Sequence, residues 1–444
     1  MLNKIKILYY YFRTKYGFKF KNREELLNWQ NKQVIKLLKK IMPKSPFYTE
    51  YFKNFSVIDW QKFPLIDKSL MMENFDNLNT AGIKKSEAFE TAYNAEKLRD
   101  FSPTINNITV GLSSGTSGNR GIFLLSDEER FKWAGTILAK VLPCSIFSKH
   151  KIAFFLRANS NVYTTVNSNN INFEFFDLLN PLEQHLKRLN EFQPSVLVAP
   201  ASMLRLLARA KEDKKLNVNP EKIISVAEVL DSLDESYIFK QFNQKIHQIY
   251  QCTEGFLAST CQYGTLHINE DMVVNQKEYL DKDLGKFIPI ITDFSRTTQP
   301  IIRYRLNDIL TEKKEPCLCG SVFTAIEKIE GRCDDIFYLP AIEGEKLIPV
   351  FPDFICRAII YSSPEIEEYT AIQHSFDLTE IFLKSSCEDK NNLSNLVEKS
   401  LKELFEKLNC KAPELKINYN YDKLEKPCDK KLKRVKRVFN IEGE

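Results

Sequence analysis

Apolar residues recur at helical spacing through the first part of the chain and then give way to short β-type runs. Residues 24 to 41, "EELLNWQNKQVIKLLKKI", set leucine, tryptophan and isoleucine at helical spacing with charges between them. That period gathers the apolar side chains on one stripe, so the N-terminal region is expected to be mainly helical. From about residue 108 the pattern changes. "ITVGL" and "IFLLS" read as strands, and Ser126 with Glu129 makes a capping box for a helix through "DEERFKWAGTILAKVL". Further runs, "KIAFFLR", "PSVLVAP", "KIISVAEVL" and "KIHQIY", alternate with helical stretches such as "ASMLRLLARAKED". Such alternation builds a parallel sheet whose ligands bind at the carboxyl ends of its strands.

Between 260 and 335 the runs "FIPIITDF", "IIRYRL" and "SVFTAIEKIE" predict a smaller β-rich subdomain. After "GRCDD" a last α+β segment follows, with the amphipathic helix "NNLSNLVEKSLKELFEKL". The expected class is α/β: a large N-terminal domain, 1–333, with parallel sheets and a β-rich subdomain, and a small α+β C-terminal domain, 334–444.

Length supports this division, since 444 residues exceed what one core holds, roughly 250–300. A formal charge of +5 is too small to imply a nucleic-acid partner, although basic residues crowd the stretch "KKLKRVKR". The opening "MLNKIKILYYYFRTKYGFKF" begins like a secretory signal, but Arg13 and Lys15 interrupt it and no small-residue cleavage site follows. It reads as a helix docked on the body; a membrane surface is the other reading. No run approaches the ~18 apolar residues of a membrane span, and ten scattered cysteines argue for reduced thiols or metal ligands. The expectation is a cytoplasmic protein with no transmembrane segment, a monomer or homodimer.

The stretch "GLSSGTSGNRGIFLLS" is not a Walker A loop, because Gly118 is followed by Asn119, Arg120 and Gly121 before a strand. It can still wrap a triphosphate. Gly115, Gly118 and Gly121 free backbone amides, Ser113, Ser114, Thr116 and Ser117 supply hydroxyls, and Arg120 adds positive charge. A bland mobile hairpin is the alternative. In "YQCTE", Tyr250, Thr253 and Glu254 fall at a strand's carboxyl end, where a carboxylate can hold magnesium on phosphates. "RYRLND" places Asp308 to accept ribose hydroxyls, and "GRCDD" sets Arg332 beside Asp334 and Asp335 at a domain boundary. Singly, an Arg and an Asp near a turn read more simply as a solvated pair.

In this order the four motifs resemble those of the adenylate-forming enzymes: acyl-CoA synthetases, luciferases and nonribosomal-peptide adenylation domains. "YQCTE" is similar to their Tyr-x-x-Thr-Glu, "RYRLND" to Arg-Tyr-Arg-x-Gly-Asp and "GRCDD" to their Gly-Arg-x-Asp-Asp hinge. The branch most resembled is that of the phenylacetate-CoA ligases and the related deazaflavin-cofactor AMP synthetases. The resemblance implies ATP with magnesium and a small-molecule carboxylic acid, an aromatic one by the branch resembled. The acceptor it implies is coenzyme A or the phosphopantetheine of an acyl carrier protein. It assigns Glu254 to the metal, Asp308 to the ribose, Arg332 to the ribose or α-phosphate, and Ala227 with Glu228 to the adenine pocket.

The resemblance also makes the C-terminal domain mobile and gives it a catalytic lysine. In "DKKLKRV" the register that keeps the following Arg-Val makes this Lys431, with Lys430 and Lys433 as alternatives. Two departures stand out: Arg120 replaces the usual loop lysine, and Asn307, a residue that tolerates a left-handed backbone, replaces the glycine before Asp308. Two other functions are kept open: AMP transfer to a hydroxyl, and a non-catalytic nucleotide-binding protein.

Cys261, His267, Cys317 and Cys319 form a Cys3His set in two short-range pairs, which suits a closed, structural zinc site. Members of the phenylacetate-CoA ligase branch have a similar site. The alternative is four unrelated residues, two of them buried thiols.

Overall fold

The computed structural model describes residues 2–113, 120–421 and 433–441. The chain packs as two compact units, Met1–Leu306 with Thr311–Lys328 and Asn307–Leu310 with Ile329–Glu444.

The first unit opens with the helices Leu2–Tyr16, Arg23–Ile41 and Lys85–Leu98. Asn22 caps the second by accepting the Glu25 N–H, and Leu26, Val34, Leu37, Leu38 and Ile41 form its buried stripe. Helix Leu2–Tyr16 lies against helix Asp127–Val141. They meet at Gly135, where a Cβ would come within 2.5 Å of the Ile7 carbonyl oxygen and 2.6 Å of Tyr10 Cβ, so the crossing depends on having no side chain there.

Three short antiparallel strands follow: β1 (Thr104–Ile105), β2 (Ile108–Leu112) and β3 (Ile122–Leu125). β2 and β3 flank the glycine-rich loop, and the capping box of Ser126 and Glu129 starts helix Asp127–Val141 just beyond, as the sequence pattern predicts.

The main sheet begins with β4 (His150–Leu156), β5 (Ile171–Asp177), β6 (Val196–Ala199), β7 (Lys222–Val226) and β8 (Ile246–Cys252), parallel in the order β5-β4-β6-β7-β8. All four residues of β6 are buried, and they alternate between two layers. Val196 and Val198 join Tyr11, Leu138 and Ile224 on one face; Leu197 and Ala199 join Phe155, Leu204 and Ile223 on the other. β5 had no counterpart among the expected strands, because "INFEFFD" at the sheet's edge is only partly buried and lacks a clean apolar run.

The β-rich stretch continues this same sheet. It comprises β9 (Gly255–Thr260), β10 (Leu266–Ile268), β11 (Val273–Asp281), β12 (Lys286–Asp293), β13 (Ile301–Arg305), β14 (Asp308–Glu312) and β15 (Ala325–Arg332). β9 turns back antiparallel on β8, and the order runs on as β10-β15-β14-β12-β11 with β13 on β12.

The second unit holds β16 (Phe337–Pro340) paired with β17 (Leu347–Val350). It also holds a four-stranded sheet of β18 (Ile366–Ser375), β19 (Leu378–Ser385), β20 (Glu414–Asn418) and β21 (Val435–Arg437), in the order β20-β19-β18-β21. The predicted amphipathic helix is Lys390–Lys407, which buries Leu393, Val397, Leu401 and Phe405 at i, i+4 spacing. Ile309, from the inserted segment, packs with Ile336 and Phe351.

Candidate functional site

At the mouth of the glycine-rich hairpin the Ser113 N–H donates to the Gly121 carbonyl at 2.8 Å, and the Gly121 N–H donates to Ser113 Oγ at 2.7 Å. Arg120 donates from Nε to the Ser113 carbonyl at 3.0 Å, and its two terminal nitrogens straddle Glu96 at 2.8 and 2.5 Å. Its charge is thus shared with a carboxylate from helix Lys85–Leu98. Ser114, Gly115, Thr116, Ser117 and Gly118 lie outside the described residues.

β7 and β8 are parallel neighbours, so their carboxyl ends present adjacent turns. After β7, Ala227 has φ 65°, and the Glu228 carboxylate accepts the Ser202 N–H at 2.9 Å and its hydroxyl at 3.1 Å, fixing it at the start of helix Ala201–Glu212. Tyr250 is buried within β8. After β8, Glu254 is 9% exposed; Oε1 accepts the Tyr304 hydroxyl at 3.0 Å and Oε2 the Thr253 hydroxyl at 2.9 Å. Burial first, and then the Glu254 charge, push the Tyr304 hydroxyl far up, so it stays protonated and donates. Both oxygens of Glu254 keep lone pairs beyond these bonds, which is what a shared cation on a polyphosphate requires.

The second unit carries the remaining motif residues. Arg332 Nε lies 3.9 Å from Asp308 Oδ1. Asn307 does not take up the left-handed backbone that its type allows; its amide donates to Asp334 Oδ2 at 2.7 Å and its carbonyl accepts the Cys333 N–H at 2.9 Å. The left-handed residue of this motif is instead Arg303, φ 46°, beside an irregularity in the β12–β13 register. Lys433 Nζ pairs with Asp335 Oδ1 at 2.8 Å. Burial, more than the opposing Lys433 charge, sets the Asp335 carboxyl and raises it. Lys430 and Lys431 lie outside the described residues.

The Cys3His set comes together in the first unit. Cys261 follows β9, His267 sits in β10, and Cys317 and Cys319 occupy the loop between β14 and β15. Gly320 closes that loop with φ +69° and donates its N–H to the Cys317 carbonyl at 3.0 Å. The sulfurs of Cys261 and Cys317 are 3.7 Å apart, Cys319 Sγ is 3.4 Å from His267 Nε2, and all four ligand atoms lie within 4.8 Å of one another. A tetrahedral zinc with bonds of about 2.3 Å to sulfur and about 2.0–2.1 Å to nitrogen needs edges of about 3.8 and 3.6 Å, so the quartet fits. His267 Nδ1 lies 3.2 Å from the Phe323 carbonyl, an acceptor, so Nδ1 carries the proton and Nε2 offers its lone pair. Burial raises the Cys317 thiol, but the Cys319 N–H and hydrogen bonds from Thr265, His267 and Cys319 outweigh it and bring it down to about 6.

No family model matches the chain. Over 230 residues it is 28% identical to protein CapK of Staphylococcus aureus, a match covering 50% of this chain and 49% of that protein. It is 24% identical over 204 residues to a phenylacetate-coenzyme A ligase of Thermus thermophilus, covering 41% and 43%. It is 25% identical over 225 residues to an indoleacetate–lysine synthetase of Pseudomonas savastanoi, covering 46% and 54%. The chain spans about half the length of the curated relatives it matches. A solved 2-hydroxyisobutyryl-CoA ligase in its postadenylation state superposes with a TM-score of 0.69 at 14% identity, over 93% of this chain and 89% of that one. The acyl acid amido synthetase GH3.15 does so with 0.58 at 14% identity, over 93% and 91%. The fold is that of the adenylate-forming ligases.

On this adenylate-forming fold the motif readings left out the residues that connect the motifs. Arg296 donates to the Thr253 carbonyl at 2.5 Å and to the Leu124 carbonyl at 3.2 Å, and Gln299 bonds the backbone of Ile122 and Leu124 at 3.0 and 2.9 Å. They tie β3, at the edge of the adenylate-forming fold's glycine-rich hairpin, to the turn that carries Glu254. The only local signal was a polar cluster, "SRTTQ", between two strands.

Proposed function

We propose that the chain is an enzyme that activates a carboxylic acid with ATP to an acyl-adenylate and then passes the acyl group to an acceptor. The observation that carries the reading is the pair of adjacent strand ends bearing Ala227–Glu228 and Thr253–Glu254, with Glu254 buried, doubly hydrogen-bonded and still able to accept a cation. An acid oxygen attacks the α-phosphorus, the bond to the β-phosphate breaks and pyrophosphate leaves. The protein's work is alignment and charge compensation.

The loop from Ser113 to Gly118 would hold the β- and γ-phosphates, assisted by Arg120. Glu254 would hold the magnesium ion, which neutralises charge on the triphosphate. Asp308 anchors the ribose, Arg332 the ribose or α-phosphate, Tyr250 and Ala227 with Glu228 line the base, and Lys431 meets the developing charge. Rotation about Asp334 and Asp335 would then withdraw that lysine and admit the acceptor. Zinc on Cys261, His267, Cys317 and Cys319 would clip the β9–β10 hairpin to the loop before β15, away from the reacting atoms.

An aromatic acid and a thiol of coenzyme A or a carrier protein are supported by the likeness to a phenylacetate-coenzyme A ligase. An amine acceptor is the second reading, favoured by the likeness to an indoleacetate–lysine synthetase and to an acyl acid amido synthetase. A reducing compartment such as the cytoplasm is part of this proposal, supported by cysteines scattered along the chain rather than set in a disulfide framework. Acid-dependent ATP–pyrophosphate exchange across aryl and fatty acids tests the first step, and thioester against amide product separates the acceptors. Glu254→Gln and Asp308→Ala should each lower exchange by at least about a hundredfold. Near-normal exchange in both rejects the site.

A further inference from the structure

Helix Leu2–Tyr16 has two faces. Its inner face is fixed to the body: Tyr11 is buried, Tyr10 donates to Glu128 at 2.6 Å, Lys6 pairs with the same carboxylate, and Gly135 admits the backbone at Ile7. On the opposite side Ile5, Tyr9, Phe12 and Tyr16 are 56%, 59%, 40% and 60% exposed. At about 100° per residue these four fall within roughly 60° of arc, a continuous stripe. Phe147, 62% exposed, extends it beside Phe12 with ring centroids 6.1 Å apart.

Cations border the stripe on both sides. Lys4 and Lys15 lie along one edge and Arg13 along the other, with Lys19 and Lys21 just beyond the helix. Residues 1 to 22 contain six basic side chains and no carboxylate. Aromatic rings with one polar end, flanked by cations that can extend past them, match the boundary of a bilayer with anionic headgroups. A second copy of the same face is a poor occupant, because residues 1 to 22 carry no acid to meet the cations of a partner copy and Glu128 already holds Lys6. Fifteen residues span only about 22 Å as a helix, too short for a hydrocarbon core of about 30 Å, so the helix would lie in the surface plane.

We propose that the outer face of helix Leu2–Tyr16 seats this protein reversibly on an anionic membrane surface, through Ile5, Tyr9, Phe12, Tyr16 and Phe147 framed by Lys4, Arg13 and Lys15. The body is held to the bilayer by one helix whose other face is part of the core, so seating needs no unfolding.

The full chain is sedimented with vesicles of phosphatidylcholine alone and with about 30% phosphatidylserine, at about 100 mM salt. Binding should be at least about tenfold tighter to the anionic vesicles and should weaken as salt rises. Combining Tyr9→Ser, Phe12→Ser and Tyr16→Ser should weaken it about tenfold or more with little change in circular dichroism. Lys4→Glu with Lys15→Glu, which leaves the stripe intact, should lose at least about fivefold per charge and only toward anionic vesicles. Failure of the wild-type chain to bind anionic vesicles, or binding by either combined variant as tight as that of the wild type, overturns the proposal. So does a wild-type dimer that the aromatic variant makes monomeric without any vesicle binding, which would assign the stripe to self-association.

Discussion

Replacing Glu129 by Gln should loosen the joint between the glycine-rich hairpin and the segment that precedes β13. Glu129 Oε2 accepts the Ser126 N–H and hydroxyl, each at 2.8 Å. Its Oε1 accepts the Thr297 and Thr298 N–H groups, the latter at 2.8 Å, and the side chain is only 7% exposed. Glutamine can supply one acceptor oxygen. Its amide nitrogen must face either the Ser126 N–H or the two threonine N–H groups, so at least one buried donor loses its partner and the remaining bonds lose their charge assistance. At about 1–3 kcal/mol for an unsatisfied donor and about 1 kcal/mol for the weakened bonds, the loss should be roughly 2–4 kcal/mol. For a first unit of roughly 320 residues that is about 3–6 °C in melting temperature.

The pH dependence supplies a second check. Burial alone would raise Glu129, but the hydrogen bonds from Thr298, Thr297 and Ser126 outweigh it and hold the carboxyl below its ordinary value. A carboxyl depressed in the folded state stabilises above its unfolded pKa, and that contribution is lost as pH falls through the folded value. Scanning calorimetry should therefore find the full gap between wild type and variant at pH 6–7 and a shrinking one below about pH 4. A variant within 1 °C of wild type at neutral pH, or a gap indifferent to acid, refutes the reasoning.

Cys317→Ser and Cys319→Ser should each lower melting temperature and zinc content together, with elemental analysis of the wild type finding about one zinc per chain; no zinc would reject the clip. Gly135→Ala should destabilise by roughly 1–3 kcal/mol, since its Cβ would press on backbone at 2.5 and 2.9 Å and the ~1 kcal/mol gain in helix propensity cannot offset that. A raised melting temperature would contradict it. Lys433→Ala should leave Asp335 buried without its cation. Because a carboxyl raised in the folded state stabilises at low pH and loses that as pH rises, this variant should melt higher at pH 5 than at pH 8. Lys431→Ala should keep normal stability while losing pyrophosphate exchange; equal exchange in wild type and variant would remove Lys431 from the mechanism.

Local features were readable in the chain. The strands around the hairpin, the Ser126–Glu129 box and the period of helix Lys390–Lys407 are set by neighbours within a few residues, and each forms where the pattern puts it. The Cys3His quartet was readable because these residue types are scarce and chemically selective. What escaped was the second half of each local device. Glu129 is legible as a cap, but its reach to Thr297 and Thr298 spans 168 and 169 residues, and no periodicity encodes a bond at that separation. The same holds for Arg296, which joins Thr253 and Leu124, and for Lys433, an alternative position for the catalytic lysine, which pairs with Asp335 98 residues away. At Asn307 the residue type suggested backbone geometry, whereas its side chain does the bonding.

The C-terminal unit owns four residues that lie upstream of the rest of it, Asn307–Leu310, and one of them, Ile309, is fully buried against Ile336 and Phe351. A contiguous C-terminal segment is therefore an incomplete body: cut at "GRCDD", it would leave behind a core side chain and expose the apolar surface that Ile309 covers. Recombination between relatives cannot trade this unit as a simple tail, because a single crossover would pair one parent's Ile309 with the other's Ile336 and Phe351. Where such an exchange survives, these three positions should have been kept compatible in volume, which makes a strand inside the first unit's sequence part of the inheritance of the second.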